Sequence, residues 1–348
     1  MIDAVDIAGR LVGPGHPTYV IAELSANHGG SLDRAIELVE QAAAAGADAI
    51  KLQTYSPDSM TLDVDLPAFT VGEGSLWAGR RLHELYAEAQ TPWSWHEPLF
   101  DAARRVGLAC FSTPFDVAAA DQLATLDPPA YKIASFELLD LPLIRHVAGL
   151  GKPLIVSTGM ASDDEIDAAV TAAAGAPGLI LLRCNSAYPA PSGEMDLATI
   201  ADMADRWGVP VGLSDHSIAP TAAIAAVALG AVVLEKHLTM SRDEPGPDAA
   251  FSLEPDELAR TVAAVHEAEA AVGHVRYGPS PTEAPSLEFR RSLWFVTDLA
   301  AGEVVPDEAV ASLRPAGGLP PGERHRVVGR RLRRAVVRGS AATADAVE

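Results

Sequence analysis

A chain of 348 residues with 48% apolar and 21% charged side chains can bury a large core, and its length admits one large α/β domain or two domains. A net charge of −21 argues against nucleic acid or an anionic membrane surface as a partner, because both call for a basic face. No apolar run is long enough to span a bilayer and no basic stretch precedes an apolar one at the start, so the sequence reads as a cytoplasmic protein without membrane contact.

Residues 1–17, ending in the Gly/Pro cluster from Gly13 to Pro17, predict a short hairpin ahead of the main fold. A first strand follows at 19–24, then an amphipathic helix over 32–45 that Gly46 stops. The second strand, 49–54, leads into a polar insertion reaching about Gly74. That is too long for an ordinary connection and is a candidate substrate loop. Helices are expected near 79–90 and 94–106.

Further strands recur at 108–113, 130–135, 154–158, 179–184, 209–214 and 232–238. Each is followed by a helical pattern, the last being the Ala/Glu-rich 257–272. Eight strands in strict alternation with helices predict a closed (β/α)8 TIM barrel, and no glycine-rich dinucleotide or phosphate loop supports an open sheet. The barrel is assigned to 1–276, a Pro/Ser/Glu linker to 277–287 and a small β-rich module to 288–348. Cys110 and Cys184 each sit in a strand-like run, where a buried free thiol is expected.

Charge and lysine usage are uneven. Residues 1–287 carry a net charge of −23 and residues 288–348 a net of +2. Arginine outnumbers lysine 22 to 4, yet Lys51, Lys132 and Lys236 lie inside apolar strand-like runs, where an unpaired ammonium is costly. A compact ammonium suits phosphate binding.

Barrel enzymes work at the C-terminal ends of their strands, and this sequence turns polar there strand after strand. Glu23, Lys51 and Gln53 belong to the first two strands, Thr113, Lys132, Ser135 and Ser157 to the next three, and Ser186 and Tyr188 follow the sixth. Ser214, Asp215 and His216 close the seventh, and Glu235 and His237 the eighth. Two lysines with several hydroxyls make an anion pocket, whereas two imidazoles near carboxylates suit a divalent ion acting on a carbonyl. Together they suggest carbon–carbon condensation, with phosphate isomerases and metal-dependent aldolases built from similar parts.

The strand-end motifs resemble those of the sialic, or nonulosonic, acid synthase family, which condenses phosphoenolpyruvate with a sugar. The resemblance is carried by IAELSANHGGSLDRA (21–35), IKLQTYSPDSMTL (50–62), FSTPFD (111–116), PAYKIASFE (129–137), GKPLIVSTGM (151–160), CNSAYPAP (184–191), VGLSDHS (211–217), LEKHLT (234–239), PGPD (245–248) and LRPAGGL (313–319). It implies a TIM barrel joined to a C-terminal SAF, or antifreeze-like, domain, in a homodimer whose subunits swap these domains. Features such as WAGRRLHELYAEAQTPWSWH (77–96) and FSLEP (251–255) resemble the pseudaminic acid branch, whose acceptor is a 2,4-diacetamido-2,4,6-trideoxyhexose. PGPD resembles the N-acetylneuraminate branch instead, and Asn185 stands where the family usually has Thr. N-acetylneuraminate and legionaminic acid synthesis are therefore the alternatives.

The resemblance also implies roles. His216 and His237 would bind the ion, manganese foremost, with magnesium or cobalt as alternatives. Lys51, Thr113, Lys132, Ser135, Ser157, Ser186 and Ser214 would hold phosphoenolpyruvate. Glu23 would transfer a proton, with Glu235 and Asp215 orienting ligands or lysines. Gln53, Tyr188 and Asp248 would face the N-acyl hexose, and Arg314 from the partner's cap would grip an N-acyl carbonyl. Asn27 and His28 are expected behind the site, and Phe136, Trp77 and Trp95 in packing. A non-catalytic sugar-acid or ice-binding protein is the rival of another class, and a heptulosonate-type synthase with a sugar-phosphate acceptor is the nearer one.

Overall fold

The computed structural model describes residues 2–74 and 76–348. The chain divides into two compact units, Met1–Gly273 and His274–Glu348.

The first unit begins with the hairpin β1 (Val5–Ile7) and β2 (Arg10–Val12). The chain then runs β3 (Tyr19–Glu23), α1 (Leu32–Ala44), β4 (Ala49–Thr54), α2 (Pro57–Met60), α3 (Leu82–Ala89), α4 (His96–Val106) and β5 (Ala109–Pro114). It continues through α5 (Val117–Ala124), β6 (Tyr131–Ile133), α6 (Leu141–Ala148), β7 (Leu154–Ser157), α7 (Asp163–Ala172), β8 (Leu179–Cys184) and α8 (Thr199–Trp207). The last part is β9 (Val211–Asp215), α9 (Thr221–Ala228), β10 (Val233–His237) and α10 (Pro255–Val272). Strands β3 to β10 pair in parallel around a closed barrel, β10 returning to β3 with His237 opposite Glu23.

The eight expected strands all form, with ends within two residues of the sequence reading. The shortest, β6, stops at Ile133 because Ser135–Glu137 winds into a 3-10 turn. The insertion after β4 holds α2 and a turn at Pro67–Phe69, so it is partly built rather than open coil.

Period-two alternation separates two cores. Outward residues such as Val20, Ala22, Ile50, Leu52, Val156, Leu213 and Leu234 pack beneath the helices. Inward residues Tyr19, Ile21, Ala49, Phe111, Ile155, Ile180, Leu182 and Val233 fill the N-terminal half of the barrel, and Val5, Ile7 and Val12 of the hairpin plug that end. Gly212 lies in this interior, where an added Cβ would come within 2.6 Å of Val233 Cβ. Each inward row then turns polar one step further along its strand, so the same packing that closes the bottom opens a polar layer at the top. Helix starts are set locally: Ser162 and Glu165 form a reciprocal capping box on α7, and Asp116 accepts from Ala119 N–H at the start of α5.

The second unit has its own small core of Leu293, Phe295, Val305, Val310, Val327, Leu332, Val336 and Val347. Its antiparallel pair, β11 (Ser292–Phe295) and β12 (Val310–Leu313), is extended by isolated bridges such as Leu299 to Val336 and Leu332 to Val347.

Candidate active site

A cavity of about 460 Å³ opens at the C-terminal ends of the barrel strands. Lys51 and Gln53 of β4, Lys132 of β6, Ser157 of β7, Cys184 of β8, Ser214 of β9 and Glu235 and His237 of β10 reach it as consecutive inward positions. Ser135, Tyr188, His216 and Asp248 enter from the loops that follow the strands. Thr113 stands just behind, accepting from Lys51 Nζ at 3.3 Å.

The charges interlock. Lys51, 5% exposed in its side chain, forms an ion pair with the fully buried Glu23 and lies 3.6 Å from Glu235 Oε1. Burial pushes Glu23 above the usual carboxylate range, Lys51 opposing it and Glu235 adding to it. Burial also works to lower Lys51, but Glu23 and Glu235 outweigh it and hold its pKa above the ordinary value. Lys132 donates to Ser157 Oγ at 2.6 Å and to the Ile133 carbonyl at 2.9 Å, with no carboxylate paired to it among the described residues. Burial accordingly pushes it down to about 8, against the pull of Glu235. Burial would raise Glu235, but Lys132 and Lys51 outweigh it, and Ser214 Oγ donates to it at 3.0 Å. One Glu235 oxygen is left buried without a hydrogen-bond partner.

Ser135 and Ser186 meet over Gly159, whose N–H donates to Ser135 Oγ at 3.0 Å. A Cβ at Gly159 would overlap Ser186 Oγ and come within 2.8 Å of Ser135 Oγ, so glycine keeps both hydroxyls beside the backbone N–H. The lysines and the hydroxyls that line the cavity form a donor set for an anion.

The two imidazoles lie edge-on to each other, ring centroids 5.3 Å apart. His216 donates from Nδ1 to the Asn185 carbonyl at 2.8 Å, which leaves Nε2 as a lone-pair donor. His237 is held well below the usual imidazole pKa, chiefly by burial and then by His216, and its buried Nδ1 has no partner. The Tyr188 ring lies tilted against His216 at 4.3 Å and against Phe251 at 4.8 Å, walling this side. Among the described residues no group of three or more His, Cys, Asp and Glu gathers as a ligand set. Burial works to lower His216, but Cys184 and the Asn185 carbonyl outweigh it and hold it above the usual imidazole pKa. The protein thus offers two imidazoles beside carboxylates, which fits a divalent ion that displaces the proton and fills its shell with substrate and water oxygens.

Several residues fall outside the sequence reading. Glu137 lines the cavity with a buried, unpartnered Oε2, and burial pushes it up to about 7 despite Lys132. Its place two residues after Ser135 was the available signal. Phe136 and Trp77, expected in packing, line the cavity instead, and Phe136 is 62% exposed. Trp77 donates from its indole N–H to the Pro247 carbonyl at 2.7 Å, which fixes one wall to the Asp248 turn. Trp95 does pack, edge-on to His28 at 5.3 Å. Asn27 bonds the Leu238 carbonyl and Ser252 Oγ, supporting the loop after β10 from behind. Asp215 pairs with Lys236 on the outer face, both side chains at most 1% exposed, and so acts on the fold. Arg314 is exposed on the second unit. Cys110 and Cys184 are buried free thiols, as expected.

Against known proteins, the NeuB family profile matches residues 38–277 and the SAF domain profile residues 290–348. The chain belongs to the NeuB family. It is 42% identical to a pseudaminic acid synthase of Campylobacter jejuni, over 93% of this chain and 94% of the relative. An N,N'-diacetyllegionaminic acid synthase of Legionella pneumophila is 34% identical over 90% of each chain. Among solved structures, the N-acetylneuraminic acid (sialic acid) synthetase of Leptospira borgpetersenii superposes with a TM-score of 0.73 at 31% identity, covering 83% of this chain and 96% of that one. Relatives of these three specificities match 83–93% of this chain, so nonulosonic acid synthesis is the shared theme. No helix among the described residues is long and apolar enough to cross a membrane.

Proposed function

We propose that this NeuB chain condenses phosphoenolpyruvate with the open-chain form of an N-acyl hexose, giving a nine-carbon nonulosonic acid and inorganic phosphate. The observation that carries this reading is the convergence of Lys51, Lys132, Ser135, Ser157 and Ser214 on the cavity that also holds Glu235 and the two imidazoles, with Ser186 behind Ser135 across Gly159. Lys132, lacking a carboxylate partner, is the cation available to an incoming anion. Lys51, Thr113, Ser157 and Ser214 complete the set for the phosphate and carboxylate of phosphoenolpyruvate.

In the reaction, carbon 3 of phosphoenolpyruvate forms a bond to the aldehyde carbon and water adds at carbon 2. Phosphate then leaves with its bridging oxygen. Glu23, which burial pushes above the usual carboxylate range, moves protons at these carbons, with the paired Lys51 favouring its anionic form. Glu235, fixed by Ser214, stabilises positive charge as it develops. His216 and His237 would hold a divalent ion, manganese first, which supplies Lewis-acid polarisation of the acceptor carbonyl. Gln53, Tyr188 and Asp248 face the sugar.

The acceptor we assign is a 2,4-diacetamido-2,4,6-trideoxyhexose, the pseudaminic acid precursor, supported by the 42% identity to a pseudaminic acid synthase. In this reading the enzyme works in the cytoplasm as a homodimer, and Arg314 of a second copy grips the N-acyl carbonyl. Mixing a barrel variant, Glu23→Gln, with a second-unit variant, Arg314→Ala, tests that arrangement by recovery of activity. The deciding experiment for the reaction is phosphate release and product mass after incubation with phosphoenolpyruvate, manganese and a panel of N-acyl hexoses. Neither phosphate nor a nine-carbon product with any acceptor overturns the reading.

A further inference from the structure

Ser25 sits two residues beyond Glu23 with φ = 49°, in the left-handed region that a side-chain-bearing residue seldom occupies. It is completely buried. A glycine would adopt this backbone without the penalty of a Cβ, so the serine side chain needs a reason to be there. Its contacts supply one. The Ser25 N–H donates to Glu23 Oε1 at 2.8 Å, and Gln53 Nε2 donates to Ser25 Oγ at 3.2 Å. The Ser25 hydroxyl in turn donates to Asp248 Oδ2.

Two cavity groups, the amide of β4 and the carboxylate of the loop after β10, therefore meet at one residue beside the fully buried carboxylate of β3. Their sequence positions have nothing in common, since Ser25 and Asp248 are 223 residues apart. The direction of each bond matters. With its Nε2 committed to Ser25, Gln53 can turn its Oε1 to a ligand as an acceptor. Asp248 accepts from the Ser25 hydroxyl and from the Ala26 N–H, and the acceptor capacity left on its carboxylate faces the cavity. The wall so formed has two acceptors at defined positions, suited to the hydroxyl and amide N–H donors of an amino sugar.

We propose that Ser25 is a positioning residue whose strained backbone and buried hydroxyl set the acceptor-sugar wall, Gln53 with Asp248, relative to Glu23. The proposal rests on the condensation reading above, because it takes that wall to face the sugar. Its chemistry predicts a selective effect: loss of the hydroxyl frees Gln53 to rotate and leaves the Asp248 carboxylate with the Ala26 N–H as its remaining anchor on this segment, while the phosphoenolpyruvate donors, which do not touch Ser25, stay in place.

The test uses the full-length protein with Ser25→Gly and Ser25→Ala. Glycine removes the hydroxyl and relieves the backbone, so its melting temperature equals or exceeds that of the parent. Alanine removes the hydroxyl and keeps the strain, so it melts lower. Both variants raise the acceptor KM by about tenfold, the scale of a lost hydrogen bond to a charged group, and leave the phosphoenolpyruvate KM within about twofold. A merely structural serine predicts the reverse, normal acceptor KM in the glycine variant, and that result overturns the proposal.

Hydrogen exchange on the ligand-free proteins supplies a readout independent of turnover. Amides of residues 246–250 exchange faster in both variants if Ser25 tethers Asp248, and unchanged protection overturns the tether. A parent enzyme that condenses no acceptor refutes the functional reading, while the exchange experiment still decides the role of Ser25.

Discussion

Removing the Lys236 ammonium tests how the barrel holds its two imidazole-bearing strands together. Lys236 and Asp215 are register partners on β10 and β9. Glu235 and His237 point into the cavity, so strand alternation turns Lys236 to the outer face beneath the helices. There Lys236 Nζ lies 3.0 Å from Asp215 Oδ2 and also donates to the Ser217 carbonyl, while Ser217 N–H donates to Asp215 Oδ1 at 2.8 Å. Both side chains are essentially sealed from water, at 1% and 0% exposure. In Lys236→Met the Asp215 carboxylate stays buried with a single donor. Breaking a buried pair from one side costs about 3–5 kcal/mol. At roughly 2–4 °C per kcal/mol for a unit of this size, the melting temperature should fall by about 6–20 °C. Adding Asp215→Asn removes the orphaned charge and keeps an acceptor for Ser217, and should recover more than half of the loss. Differential scanning calorimetry at pH 7 on the parent, the single and the double variant decides. A single variant melting within about 2 °C of the parent, or a double variant no more stable than the single, refutes the reasoning.

Glu23→Gln keeps the shape of the buried side chain and removes its proton chemistry. kcat should drop about 10²- to 10⁴-fold while the fold survives in circular dichroism; an enzyme retaining more than a tenth of parental kcat would remove Glu23 from the chemistry. Burial brings Lys132 to about 8, so raising the pH through that value discharges the ammonium that faces the anion. kcat/KM for phosphoenolpyruvate should therefore decline above about pH 8, and a flat profile from pH 7 to 9 would contradict it. Burial raises Glu137 from 4.5 to about 7, so between those values the folded chain binds this proton more tightly than the unfolded chain does. Stability should fall as pH rises through that window and level off above it. Glu137→Gln should flatten that part of the melting curve against pH, and an unchanged slope would show that another group is responsible. Chelation, or His216→Ala with His237→Ala, should abolish condensation and also manganese binding measured by electron paramagnetic resonance; wild-type binding in the double variant counts against the two-histidine site.

Much of the site was legible in the sequence because strand-end position is a local property. Apolar runs of strand length, alternating with helical patterns, place Lys51, Lys132, Ser157, Ser214, Glu235 and His237 at matching ends, and all six line the cavity. Residues beyond the strand ends were harder to read. Phe136 and Trp77 look like packing residues in sequence, since an aromatic side chain in a loop carries no sign of whether it faces core or cavity. Glu137 was quoted within a motif but given no role, because only burial without a partner distinguishes it from a solvated glutamate.

The sequence by itself determined the barrel, since periodicity and spacing are written along the chain and strand alternation converts them directly into an apolar floor and a polar rim. It also determined which residue types reach that rim. Only the tertiary structure decided how they pair. Lys51 could have faced any carboxylate of the ring and is bound to Glu23; Lys236, another lysine in an apolar run, turned outward to Asp215. Ser25, in sequence one more polar residue after the first strand, joins Glu23, Gln53 and Asp248. Those choices depend on distances of a few ångströms between residues up to 223 positions apart, and on burial, which sets the cost of leaving each group alone.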